Sequence, residues 1–384
     1  MSKMNVKLWI AALICGAVLT AHADTHWMVL PRHSSTGRTL LHGCRNTGTP
    51  VPLAMRWEKP ADGGRFGFLS VGNQSGLRFA GINERGLAVF FTGAGPMVDP
   101  RPPKSPDNFN GHRGTVRLLG RCADAREAVA MLRGAAEKKL IDGALIFFIA
   151  DRNHAWVVEC SPGNFASWEL THPFCVYANY WKLPGMDGSA ASPATRMIPR
   201  CSREWAAREI LRRRFEAAGT ISRADSFAVS RANLTELNGE DFAASRGKRK
   251  LVDAPHNRHA FDSYLFEIDP EFGELSCVYA ACGPARHTVY LPVPLGAADA
   301  LPPEIFGAER LDGAFARMKA AKGSDPVAPA ILEFEAKLLA EFDKAREAAR
   351  ERLYADDAAG AREILRACLQ KQTRATAEFL RTLK

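Results

Sequence analysis

The sequence predicts an α+β chain in which helices are layered on antiparallel sheets and a helical hairpin closes the C-terminus. Three observations carry this. Short segments rich in β-branched and aromatic residues follow one another at hairpin distance, separated by Gly, Pro, Asn or Asp. Two stretches of helical periodicity interrupt them instead of alternating with them, which argues against βαβ units. From Pro326 the composition changes to long runs of helical spacing with dense charge.

The segments read as strands are His26–Leu30, Arg38–His42, Phe66–Val71, Leu77–Gly81 and Leu87–Thr92. Further along they are Ala144–Ala150, Ala155–Cys160, Phe165–Leu170, Phe174–Asn179, Tyr264–Ile268, Leu275–Ala281 and His287–Leu291. Asp124 and Glu127 form a capping-box pattern ahead of Ala125, Val129 and Leu132. Ala207, Leu211, Phe215 and Ala218 line one face of a helix at 202–218, and Ser222 with Asp225 opens another. Gly95–Arg113, with five prolines, reads as a long loop, as does Leu183–Ala194. Ile331, Phe334, Leu338 and Phe342, then Ile364, Cys368, Phe379 and Leu383, recur at helical spacing and predict a hairpin that packs over the sheets with its charges on the surface.

The chain of 384 residues is 46% apolar and 24% charged, with a net charge of +9, which excludes disorder, collagen and a coiled coil as descriptions of the whole. Residues 1–23 have the three parts of a secretory signal peptide: Lys3 and Lys7, the apolar run Leu8–Leu19, and Ala21-His22-Ala23 as the cleavage site. The run holds 12 residues, short of the ~20 that a membrane span needs. Ile14 is too large for the position before a lipid-bearing Cys15. The expectation is export to the periplasm or medium, with Asp24 as the first mature residue. Export argues against nucleic acid as a partner, so the basic runs Arg212–Arg214 and Lys248–Lys250 read as solvated faces. Cys44, Cys122, Cys160, Cys175, Cys201, Cys277, Cys282 and Cys368 show neither zinc nor C-x-x-C spacing and read as buried thiols. His256 and His259 lie on no clear helix and form a weak metal pattern, and no glycine-rich phosphate loop is present, so neither a metal nor a cofactor is implied. Oligomeric state leaves no signal in the sequence.

Four pieces in order resemble a known family. Gly81-Ile82-Asn83-Glu84-Arg85-Gly86-Leu87-Ala88-Val89 is similar to the G-x-N-E-x-G-L/V-A strand signature of N-terminal-nucleophile (Ntn) amide hydrolases. Those relatives are the choloylglycine hydrolases, penicillin V acylases, isopenicillin N acyltransferases and the dipeptidase and secernin group. Ala150-Asp151-Arg152-Asn153-His154, followed by Val157-Val158-Glu159, is similar to the family's hairpin, Val176-Tyr177-Ala178-Asn179 to its A-N segment, and Ala281-Cys282-Gly283-Pro284 with Val289-Tyr290-Leu291-Pro292 to its late strand pair. The resemblance spans about residues 24–295. It implies a four-layer αββα sandwich of two antiparallel sheets, and cleavage of a linear amide bond by the side chain of the first mature residue. The α-amine of that residue, with a pKa near ~8, serves as its base.

The sequence departs from the pattern at the nucleophile. Counting thirteen positions back from the Thr36-Gly37 turn puts Asp24 where the family has Cys. Loss of Asp24 would expose Thr25, a workable N-terminal nucleophile. Cys44, with His42 on the same strand face, is a third candidate but has no free amine. The acid that follows the family's Arg or Asn is also missing: Asn46 or Thr47 falls there, with Arg45 as the basic member. The resemblance places Asn179 in the oxyanion hole, Thr92 among the pocket residues, and Arg200 or Arg203 near a pocket Arg. Three readings follow: an exported amide hydrolase or acyltransferase working through Thr25, a catalytically inactive protein of the same fold that binds an amide- or peptide-like ligand, and a structural protein that assembles through its C-terminal hairpin.

Overall fold

The computed structural model describes residues 24–46, 53–60, 63–73, 76–94, 102–186, 202–233, 236–237, 254–256, 260–302, 313–314, 316–317 and 327–383. The signal-peptide residues, Arg200, Cys201, His259 and most of the second predicted loop lie outside these. The strands are β1 (Thr25–Val29), β2 (Thr39–Asn46), β3 (Leu53–Glu58), β4 (Phe68–Asn73), β5 (Arg78–Asn83), β6 (Ala88–Gly93), β7 (Leu145–Ala150), β8 (Ala155–Ser161), β9 (Asn164–Glu169), β10 (Phe174–Ala178), β11 (Ala260–Ile268), β12 (Cys277–Cys282) and β13 (Tyr290–Pro294). The helices are α1 (Gly111–Arg121), α2 (Ala125–Glu137), α3 (Ser202–Ala218), α4 (Arg223–Arg231), α5 (Pro329–Tyr354) and α6 (Ala358–Thr382).

Two antiparallel sheets face each other. One runs β3-β4-β5-β6-β7-β8-β9, a plain meander, and the other β10-β1-β2-β11-β12-β13. Helices α1 and α2 cover the meander, where Leu118, Leu119 and Leu132 pack on Val89, Phe147 and Ile149. Helices α3 and α4 cover the six-stranded sheet, with Leu211 and Phe227 buried in the principal core. This is the αββα sandwich expected from the motifs.

Local chemistry explains the joints. Asn83 of the N-E-x-G motif accepts the N–H groups of Arg85 and Leu87 (both 3.0 Å) and donates to the carbonyls of Leu119 and Cys122. Gly86 completes that turn at φ +81°, a left-handed conformation that favours glycine. The motif is therefore a β5–β6 turn tied to the end of α1. In the β7–β8 turn, Asp151 accepts from the N–H groups of Asn153 and His154 and from Ala125 at the start of α2. The sheets approach closely at Gly43, where a Cβ would lie 2.2 Å from Phe90 Cε2 of the opposite sheet.

Two corrections concern elements. Strand β3 was not expected, and the predicted loop Gly95–Arg113 gives way at Gly111 to helix α1, capped by the Asn110 side chain. The glycines of Gly111-His112-Arg113-Gly114 weaken the helical pattern, yet Gly111 and Gly114 let Phe91 and Phe147 reach the helix axis. A third correction concerns charge. The hairpin α5–α6 was expected to carry its charges outward, but several point into the protein. Arg346 bonds Glu267 at 2.5 Å, Glu335 takes a bidentate bond from Arg231 (2.7 and 2.9 Å), and Arg350 reaches Asp269 at 2.6 Å. Burial alone would raise the Glu267 carboxyl, but Arg346, Arg223 and Arg38 outweigh it and hold it at about 2. Phe342, Leu365 and Leu369 enter the main core beside these pairs.

Breaking one partner leaves the other charge buried. Arg346→Ala is expected to cost about 3–5 kcal/mol in urea unfolding. Gly43→Ala forces its methyl into Phe90 and is expected to cost about 1–3 kcal/mol in the same measurement.

Candidate functional site

Strand β1 is flanked by β10 and β2, and its residues alternate between the two faces of the sheet. His26 stacks on Phe148 (ring centroids 4.4 Å) and meets Phe90 edge-on at 4.5 Å, so it points to the opposite sheet. Trp27 points the other way and donates to Ser226 of α4 at 3.2 Å. The same alternation places Asp24 with His26, between the sheets, and Thr25 with Trp27, towards the helices.

Between the sheets the side chains form a chain of hydrogen bonds. Thr92 Oγ1, on β6, donates to Asp24 Oδ2 at 2.7 Å. Asn179, one residue past β10, donates from Nδ2 to Thr92 Oγ1 at 2.5 Å and to the Gly93 carbonyl at 3.2 Å. The direction follows from the groups. Thr92 has one proton and gives it to the carboxylate, so Asn179 must offer its NH₂ to it. Asn179 Oδ1 is left buried without a hydrogen-bond partner.

Beside this chain Arg45 forms a bidentate pair with Asp262 of β11 (Nη2–Oδ2 2.8 Å, Nε–Oδ1 3.1 Å) and lies 3.6 Å over the Phe79 ring. Burial pushes the Asp262 carboxyl up, Arg45 pulls it down, and Asp24 adds a further push upward. The acid that pairs with Arg45 comes from across the sheet and not from position 46 or 47. Sequence reasoning misses Asp262 because the predicted strand starts at Tyr264. The polar pair Asp262-Ser263 just ahead of the apolar run Tyr264–Phe266 is the available signal.

Of the expected site residues, Asp24, Thr92 and Asn179 come together, with Arg45 next to them. Thr25 does not join them. It pairs across the sheet with Cys44, whose Sγ lies 3.3 Å from Ser263 Oγ on the helix side. The Thr25 side chain is fully buried there, and its Oγ1 has no hydrogen-bond partner. His42 shares that face as expected, bonding Ser263 at 2.6 Å. Cys44 is corrected as a nucleophile: burial pushes its thiol up to about 12, far from the thiolate form. Both protons of the Asn179 amide are engaged, one by Thr92 Oγ1 and one by the Gly93 carbonyl. Arg203 is buried on the first turn of α3, which packs on β10. Asn46 ends β2 opposite Ala260, and its side chain lies outside the described residues. His256 is buried and pushed well below its ordinary value by burial, then by Arg286. Cys44, Cys122, Cys160, Cys175 and Cys277 are buried free thiols, as expected, whereas Cys368 is free but only half-buried. Among the described residues no group of three His, Cys, Asp or Glu side chains could hold a metal, and no helix is long and apolar enough to cross a membrane.

No protein-family model and no curated protein matches this sequence. Solved structures of similar fold do exist. Penicillin V acylase from Agrobacterium tumefaciens aligns with a TM-score of 0.38 and 11% identity over 72% of this chain and 87% of that one. A variant of conjugated bile acid hydrolase from Clostridium perfringens aligns with a TM-score of 0.42 and 11% identity, over 72% and 94%. The Caenorhabditis elegans orthologue of N-acylethanolamine-hydrolyzing acid amidase aligns with a TM-score of 0.38 and 11% identity, over 63% and 91%. All three are Ntn hydrolases.

His26 contributes a pH dependence. Burial lowers it from 6.5 to about 4, with Asp24 opposing, and neither ring nitrogen has a hydrogen-bond partner. A lowered folded value means stability that is present above pH 6.5 and lost as pH falls through about 4. The loss is expected to reach about 3 kcal/mol. Urea unfolding at pH 7 and pH 4 checks it, and His26→Phe should flatten the slope.

Proposed function

We propose that this protein holds an amide- or peptide-like ligand between its two sheets and does not cleave it through an N-terminal nucleophile. The observation that carries this is which side chains the start of β1 presents between the sheets. The side chain presented there at the start of β1 is the Asp24 carboxylate, held by Thr92, while the Thr25 hydroxyl faces the helix layer. A carboxylate is a poor nucleophile towards an unactivated amide. The amide of Asn179 gives both its protons to the protein, so it offers a developing oxyanion nothing in this arrangement. What remains directed inward is acceptors: the Asp24 carboxylate and Asn179 Oδ1. Acceptors suit the N–H groups of an amide or a peptide amine. Arg45, paired with Asp262, borders the same space. The reading includes export, with residues 1–23 removed and Asp24 as the mature terminus.

The second reading is hydrolysis or acyl transfer through Thr25 after loss of Asp24. The unpartnered Thr25 Oγ1 favours it. It requires the first residue of β1 to turn its side chain through the sheet to the Thr92 side.

A panel of acylated amino acids, short peptides and penicillin V separates the two. The expected result is saturable thermal stabilisation by at least one compound without release of amine. Asp24→Asn should abolish the stabilisation, and Thr25→Ala should leave it within twofold. N-terminal sequencing of the exported chain should start at Asp24. Turnover that Thr25→Ala removes would overturn the binding reading in favour of hydrolysis.

A further inference from the structure

Glu159 is buried on β8 with no exposed surface, and neither reading of the cleft uses it. Its two carboxylate oxygens are divided between consecutive backbone amides: Oε1 accepts from Lys182 N at 2.8 Å and Oε2 from Leu183 N at 3.1 Å. These amides belong to the segment that leaves β10 immediately after Asn179. The segment is anchored by Trp181, Leu183 and Met186 in the core.

The register shows what the clamp is attached to. Thr92 pairs with Ile146, and Ile146 pairs with Glu159. Thr92 and Glu159 therefore sit in one cross-strand row of the seven-stranded sheet, two strand spacings or about 10 Å apart. The chain from 179 to 183 is fastened to that row at both ends, by the Asn179 side chain on Thr92 and by its own backbone on Glu159.

We propose that Glu159 is the positioning residue for Asn179, and that protonation of its carboxylate releases one end of this segment and re-aims the Asn179 amide in the cleft. Each oxygen faces an N–H. Adding a proton turns one acceptor into a donor pointed at a donor, and one of the two backbone bonds is lost. The inference rests on reading Asn179 as a ligand-facing residue only for its functional consequence; the clamp stands on geometry alone.

The groups around the carboxyl set where this happens. Tyr177 from β10 hydrogen-bonds it, Lys182 attracts it, and the Cys160 thiol lies beside it on β8. Glu204 of α3 pairs with Lys182 at 2.6 Å and with Arg208 at 2.7 Å, which holds the ammonium over the Tyr177 ring. The cross-strand neighbours Ile146 and Ala166 carry no charge. Burial outweighs the hydrogen bonds and raises the carboxyl from 4.5 to about 7. The sign matters. A raised folded value gives the whole fold stability that is present below pH 4.5 and lost as pH rises through about 7. The clamp moves the opposite way, tightening as pH rises, and a response of the Asn179 side chain is what a merely structural carboxylate would not show.

Amide hydrogen exchange on the full isotope-labelled chain between pH 5.5 and 8.5, corrected for intrinsic rates, tests this. Protection of the Lys182 and Leu183 amides is expected to fall about tenfold on acidification, the equivalent of one backbone hydrogen bond. The midpoint should lie near pH 7, and the Asn179 side-chain NH₂ resonances should shift with it. Glu159→Gln, isosteric and checked for folding by its thermal melt, should remove both titrations. Protection that is flat with pH in the wild type, or a titration that survives in Glu159→Gln, overturns the proposal. If the clamp titrates while none of the amide panel binds, the positioning role stands and the ligand reading falls.

Discussion

A β-strand sends alternate side chains to opposite faces, and in β1 that alternation decides what the cleft contains. His26 is locked between Phe90 and Phe148 of the facing sheet, and Trp27 is locked to Ser226 of α4. With those two positions set, Asp24 can only enter the space between the sheets and Thr25 can only enter the helix layer. A slip of one residue would exchange them, but it would also drive Trp27 into Phe90 and bury His26 against the helices.

The cleft that results is rich in charge yet closely accounted for. Asp24 is held by Thr92, and Arg45 is shared between Asp262 and the face of Phe79. Burial and the Asp24 carboxylate push the Asp262 carboxyl up, and Arg45 pulls it down. On the far side of the six-stranded sheet the polar cluster of His42, Cys44, Ser263 and Tyr290 is buried against α4. Burial holds its histidine neutral and its thiol protonated, so a grouping that resembles a reactive set is inert.

The C-terminal hairpin is joined to this scaffold by charge as well as by apolar packing. Glu267 and Asp269 follow each other on β11 and its exit, and they draw Arg346 and Arg350 inward from α5. Glu335 takes Arg231 of α4 and also accepts the backbone N–H of Tyr290 on β13. A helix face that reads as polar and solvated in sequence is therefore partly an interior surface, because its partners lie 79 to 104 residues earlier in the chain.

By itself the sequence determined the strands of both sheets, β3 excepted, the helices α2 to α6, and the turn built by Asn83 and Gly86. These are set by local periodicity and by side chains bonding to backbone a few residues away. It also singled out Asp24, Thr92, Asn179 and Arg45. The tertiary structure alone decided which way each of them points: that Thr25 turns from the cleft, that Asn179 spends its protons on Thr92 and Gly93, and that Asp262 supplies the acid that pairs with Arg45. The physical reason is that direction across a sheet depends on register and on the partner sheet's side chains. Those contacts join residues far apart in the chain, and no local pattern encodes them.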